Sequence, residues 1–136
     1  MLFLDELLKS KFIEAGIVRT RILQASIKNF IIDHPTKPEK KLIHSCLEGP
    51  ENAVYYRGKV LNRTEIELPE YWTKLIDETT ITVSLTPIGA HQDIIVKRIG
   101  DNKVYLQSKS GIPINCFYHI FATRRDVEIL ITEVDA

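Results

Sequence analysis

Apolar residues near the start of the chain recur with the spacing of an amphipathic helix. Within residues 3–15, Leu4, Leu8 and Phe12 follow one another at i+4 intervals, which places them on one face of a helix. Gly16 comes directly after this stretch and is typical of a helix C-terminus. The pattern therefore predicts a short helix over residues 3–15, with an apolar stripe that needs a packing partner.

The next segment, residues 17–30, has a different period. Ile17, Ile22 and Ile27 recur every five residues, which fits neither the 3.6-residue period of a helix nor the two-residue period of a strand. Intertwined copies around a three-fold axis would bury these side chains, so we predict an extended trimerising segment. An ordinary strand entering the domain is the alternative. The candidate assembly residues are Leu4, Leu8, Phe12, Ile17, Ile22 and Ile27.

From residue 31 to residue 124, short β-type runs alternate with turn-forming residues every 8–12 positions, a spacing typical of all-β sandwiches and barrels. Within 80–86, Thr82 and Ser84 alternate with Val83 and Leu85, which predicts one polar and one apolar face. The predicted strands cover residues 29–32, 41–47, 53–61, 65–68, 80–86, 93–98, 103–107 and 116–123.

The connections between these strands carry further signals. Asn62-Arg63 and Gly100-Asp101-Asn102 are typical of tight hairpin turns. Pro69 suits the first turn of a short helix that would lay Trp72 on the sheet. Residues 125–136 are acidic, and the alternation of their apolar side chains allows a last edge strand, through Val127, Ile129 and Ile131.

Together these patterns predict a mainly β protein, an antiparallel β-sandwich or barrel-like domain with a short N-terminal helix and an extended trimerising segment. Residues 1–27 form the helix and stalk, and residues 28–136 form the β-rich domain. The chain of 136 residues carries 18 basic and 18 acidic side chains, so no basic surface favours nucleic acid as a partner. No signal peptide or membrane-spanning run is predicted, which indicates synthesis in a cytoplasm.

Residues that could carry chemistry are scattered along the chain. The four histidines form no metal-ligand motif, although one histidine per chain on a three-fold axis would need none. The carboxylate pairs lie close in sequence beside turns or on polar strand faces, Glu48/Glu51, Glu65/Glu67 and Asp126/Glu128, whereas a glycosidase needs two acids facing across a cleft. We therefore predict no catalytic, cofactor-binding or metal-binding residues, and two free thiols at Cys46 and Cys116.

Tyrosine offers the one predicted binding chemistry. Tyr55 and Tyr56 are adjacent on a predicted strand, and an exposed tyrosine presents a flat apolar ring with a polar tip, which suits stacking on sugars. These two residues are the candidate receptor contacts.

Several short motifs, in this order and spacing, resemble domains of tail fibre and tail spike proteins of tailed phages. They are KNFIIDHP at 28–35, KLIHSCLEGPE at 41–51, VYYRG at 54–58, IELPEYW at 66–72, LTPIG at 85–89 and INCFY at 114–118.

The resemblance covers residues 28–124 and implies a structural virion protein. Such a protein would form a homotrimer, mount on other tail or baseplate proteins and contribute to attachment to the host surface, with host glycan as a further partner. The alternatives are a carbohydrate- or receptor-binding adhesin outside a virion and, less favoured, a glycan depolymerase.

Overall fold

The computed structural model describes residues 9–136, and β-strands account for most of its regular structure. Within residues 9–136, one α-helix, α1, covers Trp72–Leu75, and two 3-10 helices cover Glu78–Thr80 and Lys109–Gly111. The strands are β1 (Asn29–Asp33), β2 (Lys41–Ser45), β3 (Ala53–Leu61), β4 (Glu65–Glu67), β5 (Thr82–Pro87), β6 (Ile94–Gly100), β7 (Lys103–Ser108) and β8 (Asn115–Thr123).

Six strands form two antiparallel three-stranded sheets. In the first sheet β8 lies between β3 and β5, and in the second β7 lies between β4 and β6. The chain passes from the first sheet to the second twice, from β3 to β4 and from β5 to β6. Since buried side chains of both sheets belong to one cluster, the arrangement is a β-sandwich, and the predicted antiparallel, mainly β fold is confirmed.

The core lies between the two sheets because alternate side chains of β3, β7 and β8 point inward. Val60 of β3, Ile120 of β8 and Val104 of β7 all belong to this cluster and are fully buried. Helix α1 adds Trp72 and Leu75 to the same core. The prediction that Trp72 lies buried on the sheet is thus confirmed, with the helix beginning three residues after Pro69.

The two predicted hairpin turns have different outcomes. Asp101 and Asn102 both adopt φ of 55° between β6 and β7, as a two-residue hairpin turn requires. The hairpin at Asn62-Arg63 is wrong, because β3 pairs with β8 and β4 pairs with β7. Asn62 also has a φ of 55°, but it redirects the chain from one sheet to the other, and its N–H donates to the carbonyl of Ile114 at 2.8 Å.

Strands β1 and β2 form a separate two-stranded ribbon that packs on the sandwich near its first residues. The Arg124 guanidinium lies 4.2 Å from the centroid of the Phe30 ring, and the Cys46 N–H donates to the carbonyl of Lys28. Because Phe30 is the second residue of β1 and Arg124 directly follows β8, the chain enters and leaves the β-domain at the same end.

The terminal predictions need correction where the structure describes them. Residues 9–15 are not helical and residues 9–28 contain no helix or strand, because side chains there find no surface that would stabilise regular structure. Residues 1–8 lie outside the described part of the chain. The last edge strand is also wrong: residues 125–136 pair with no strand among residues 9–136.

Candidate binding surface

The outer surface of the first sheet carries three aromatic side chains on β3 and β8, although it faces away from the core. Tyr55 of β3 lies directly opposite Phe121 of β8, with ring centroids 6.1 Å apart. Four residues along the same strands, Lys59 lies over the ring of Phe117, 5.3 Å from its centroid. Arg57 and His119 pair between these two aromatic rows. We call this surface the aromatic face, and define it by Tyr55, Arg57, Lys59, Phe117, His119 and Phe121.

The outer surface of the second sheet has the opposite character. The Arg98 guanidinium stacks on the Tyr105 ring at 3.8 Å, and Lys103 forms an ion pair with Glu65 at 3.1 Å. The Arg98 side chain thereby covers one face of the Tyr105 ring, and the charged groups of this surface suit contact with water. The aromatic face is therefore a local feature of one sheet and not a general property of the fold.

A cleft of about 380 Å³ separates β2 from β3. Its lining includes three consecutive residues of β2, at positions 43–45, and five consecutive residues of β3, at positions 53–57. Successive side chains of a strand point to opposite faces of its sheet. A strand that lines the cleft with consecutive residues therefore borders it with its backbone edge and not with one face. Within residues 9–136, β2 pairs only with β1 and β3 only with β8, so both edges are unpaired.

Tyr71 and His44 hold the ribbon against the sandwich beside this cleft. His44 Nε2 lies 3.2 Å from the Tyr71 hydroxyl, and the ring of His34 meets Tyr71 edge-on with centroids 5.6 Å apart. Burial lowers the pKa of His44, and the positive charge of Arg124 lowers this pKa further. The pKa of Tyr71 is raised, mainly by burial. The contact therefore favours an uncharged imidazole against a protonated phenol.

The two predicted receptor contacts, Tyr55 and Tyr56, both line the cleft but differ in exposure. Tyr55 is exposed on the aromatic face, whereas Tyr56 is half-buried and packs edge-on against Trp72. Sequence reasoning missed Phe117, His119 and Phe121 as neighbours of Tyr55. Their alternation within 116–123 was visible, but which of its two faces points outward depends on the pairing of β8 with β3 and β5.

The predicted assembly residues separate into two groups. Leu4 and Leu8 lie outside the described residues. Phe12, Ile17, Ile22 and Ile27 all lie in the irregular segment before β1 and are exposed.

Carboxylates of the three sequence-local pairs make ion pairs with basic side chains. Glu48 pairs with Lys28, Glu65 with Lys103, and Asp126 with Arg124 at 2.6 Å. In the described part of the chain, no group of three or more His, Cys, Asp or Glu side chains is placed to hold a metal ion. The larger pocket beside Asn62, about 560 Å³, has no acidic side chain, histidine or cysteine in its lining.

Comparisons with protein-family models, with curated proteins and with solved structures each gave no match. No helix among residues 9–136 has the length and apolar character needed to cross a membrane.

Proposed function

We propose that this chain is a structural and attachment protein of a virion, a tail fibre or spike component that assembles as a homotrimer and mounts on the tail or baseplate. One observation carries the proposal. The segment before the β-domain exposes large apolar side chains, with Phe12 at 91% and Ile17 at 84% of their full accessible surface.

Leaving these apolar side chains in water is unfavourable in free energy for a protein that does not associate. Burying one isoleucine or phenylalanine side chain contributes about 1.5–3 kcal/mol relative to leaving it in water. Large exposed apolar surfaces usually mark interaction sites. Burial of Ile17, Ile22 and Ile27 between copies of the chain would offset the cost of ordering the extended backbone.

The aromatic face supports the attachment role. Tyr55 and Phe121 offer flat apolar rings, while Arg57 and His119 offer hydrogen-bond donors between the aromatic rows. This combination suits a carbohydrate, whose C–H faces stack on rings while its hydroxyls bind polar groups. The same surface would serve a carbohydrate- or receptor-binding adhesin outside a virion, which is the second candidate function.

We propose this role without catalysis. The Glu65 and Asp126 carboxylates each lie within 3.1 Å of a basic nitrogen, so each is already engaged in an ion pair. A depolymerase also needs a second acid across a groove. Hydrolysis of host surface glycan by the intact protein, abolished by one carboxylate substitution, would overturn this part of the proposal.

Sedimentation equilibrium at micromolar concentration tests assembly. We expect the mass of three chains of 15.6 kDa each, and we expect Ile17→Ser/Ile27→Ser to dissociate the trimer. The matched control is Ile95→Ser/Ile112→Ser, which replaces two isoleucines exposed elsewhere on the domain and should leave the trimer intact. A wild-type chain that sediments as a monomer contradicts the proposal.

An array of bacterial surface polysaccharides tests attachment. Tyr55→Ala should abolish binding of the full chain to a retained glycan, because it removes a stacking ring. Tyr105→Ala is the control, since Tyr105 lies on the outer surface of the other sheet beneath Arg98. Equal loss in both variants would exclude the aromatic face as the attachment surface.

A further inference from the structure

The C-terminal segment has the pattern of a strand but no partner strand within residues 9–136. Val127, Ile129 and Ile131 recur at every second position, although Leu130 between them is also apolar, and β-branched residues are frequent between 127 and 134. Ile129 is nevertheless 93% exposed. The carbonyl of its neighbour Glu128 accepts a hydrogen bond from Asn52 Nδ2 at 3.3 Å.

The cleft between β2 and β3 lacks a strand between its two unpaired edges. Each of its long sides is a strand edge with unpaired N–H and carbonyl groups, and such an edge readily accepts an added strand. A strand placed there would bond to β2 on one side and to β3 on the other. It would thereby join the β1–β2 ribbon to the first sheet.

We propose that residues 127–134 of one copy of the chain insert as a β-strand into the cleft between β2 and β3 of a second copy. This inference rests on the proposed self-association and names the segment and the surface that carry it. The alternation would direct Val127, Ile129 and Ile131 to one face of the completed sheet and Glu128, Leu130 and Thr132 to the other.

Connectivity favours a second copy over the segment's own cleft. The loop of residues 46–52 joins β2 to β3 and therefore closes one end of the cleft. The C-terminal segment leaves the sandwich at that end, where the Arg124 N–H donates to the carbonyl of Asn52 at 2.7 Å. To enter its own cleft the segment would have to turn back around this loop, whereas a segment from another copy has no such constraint.

Charge also favours the pairing. Residues 126–136 contain four acidic side chains and no basic one, Asp126, Glu128, Glu133 and Asp135. The cleft is lined by Arg57, and the next side chain on that face of β3 is Lys59. An acidic strand beside these cations gains attraction that a neutral or basic strand lacks.

The test uses the full chain with Ile129→Asp/Ile131→Asp. Both side chains are exposed in the single chain, so folding should be unaffected, which circular dichroism checks. Association measured by sedimentation should weaken by about 100-fold or more, because two isoleucines that the inserted strand would bury are replaced by charges. The control, Ile95→Asp/Ile112→Asp, places the same charges at exposed positions away from the segment and the cleft.

Hydrogen exchange locates the site. A labelled peptide with the sequence of residues 126–136 should bind the Ile129→Asp/Ile131→Asp protein and slow amide exchange at residues 43–45 and 53–57. The same peptide carrying both substitutions should not. If the Ile129→Asp/Ile131→Asp protein remains assembled and the peptide leaves exchange at these amides unchanged, the strand insertion is overturned and the proposed function stands. A monomeric wild type whose cleft amides are already protected shows that the segment occupies its own cleft, and overturns both.

Discussion

The Tyr118 ring lies across Gly58, its directly opposite partner in the pairing of β3 with β8. A methyl group at position 58 would sit 2.7 Å from the Tyr118 hydroxyl oxygen and 2.9 Å from the ring carbon that bears it. The ring is buried and packs against Tyr56. Burial raises the pKa of Tyr118 to about 12. The missing side chain at position 58 is therefore the space that admits this ring.

Gly58→Ala should destabilise the domain by about 1–3 kcal/mol, the usual cost of overpacking a well-filled core. The buried ring has little room to withdraw. Gly49→Ala is the control, because nothing lies within 4 Å of the added carbon there. Urea unfolding followed by circular dichroism measures both, and equal stabilities would contradict the steric account.

Trp72→Ala should cost on the order of 3–5 kcal/mol, as expected for truncation of a buried aromatic side chain. The Trp72 indole N–H is buried and has no hydrogen-bond partner among the described residues. Trp72→Phe keeps an aromatic ring and removes that unpaired donor, so it should be milder. Thermal unfolding compares the two variants. A melting temperature unchanged in Trp72→Ala would exclude a structural role.

The two thiols should react at very different rates. Cys46 is exposed and Cys116 is buried, and neither is in a disulfide. Burial also raises the pKa of the Cys116 thiol, which lowers the thiolate fraction that reacts. Thiol titration should give one fast group in the native protein and two in denaturant. Cys46→Ser should remove the fast group, and a fast reaction remaining in that variant would refute the assignment.

Stability should fall as the pH drops below about 6.5 because of His44. Its folded pKa lies below its usual value of 6.5, chiefly through burial. The unfolded chain therefore binds a proton more readily than the folded chain, and acid favours unfolding in this range. His44→Gln should reduce the difference between free energies of unfolding measured at pH 5.5 and pH 7.5. An unchanged difference would show that His44 does not control this range.

Period-two alternation was sufficient to locate the strands. Val54, Tyr56 and Val60 face inward and Tyr55, Arg57 and Lys59 face outward, as the sequence of β3 predicts. Val127, Ile129 and Ile131 also recur at every second position, yet within residues 9–136 no strand forms there. Alternation indicates that a segment is suited to a β-sheet, but the segment forms a strand only where another strand edge is available for pairing.

Partners in the sheets were harder to predict than the strands themselves. Asn62 adopts the left-handed conformation typical of a hairpin, but local conformation does not determine which strand lies beside β3. For the same reason Phe117 and Phe121 were not predicted beside Tyr55. The irregular course of residues 9–28 was missed because the apolar stripe through Phe12 stabilises a helix only where another surface covers it.

The chain enters and leaves the β-domain at the same end, where Arg124 stacks on Phe30. This arrangement allows the β-domain to be inserted into another protein as one unit. A unit whose two ends lie together can be placed within a surface loop of another protein without separating the strands of its host. Units inserted in this way would project sideways from the host protein and would not lengthen it. Recombination would then exchange one such unit for another without altering the host protein on either side.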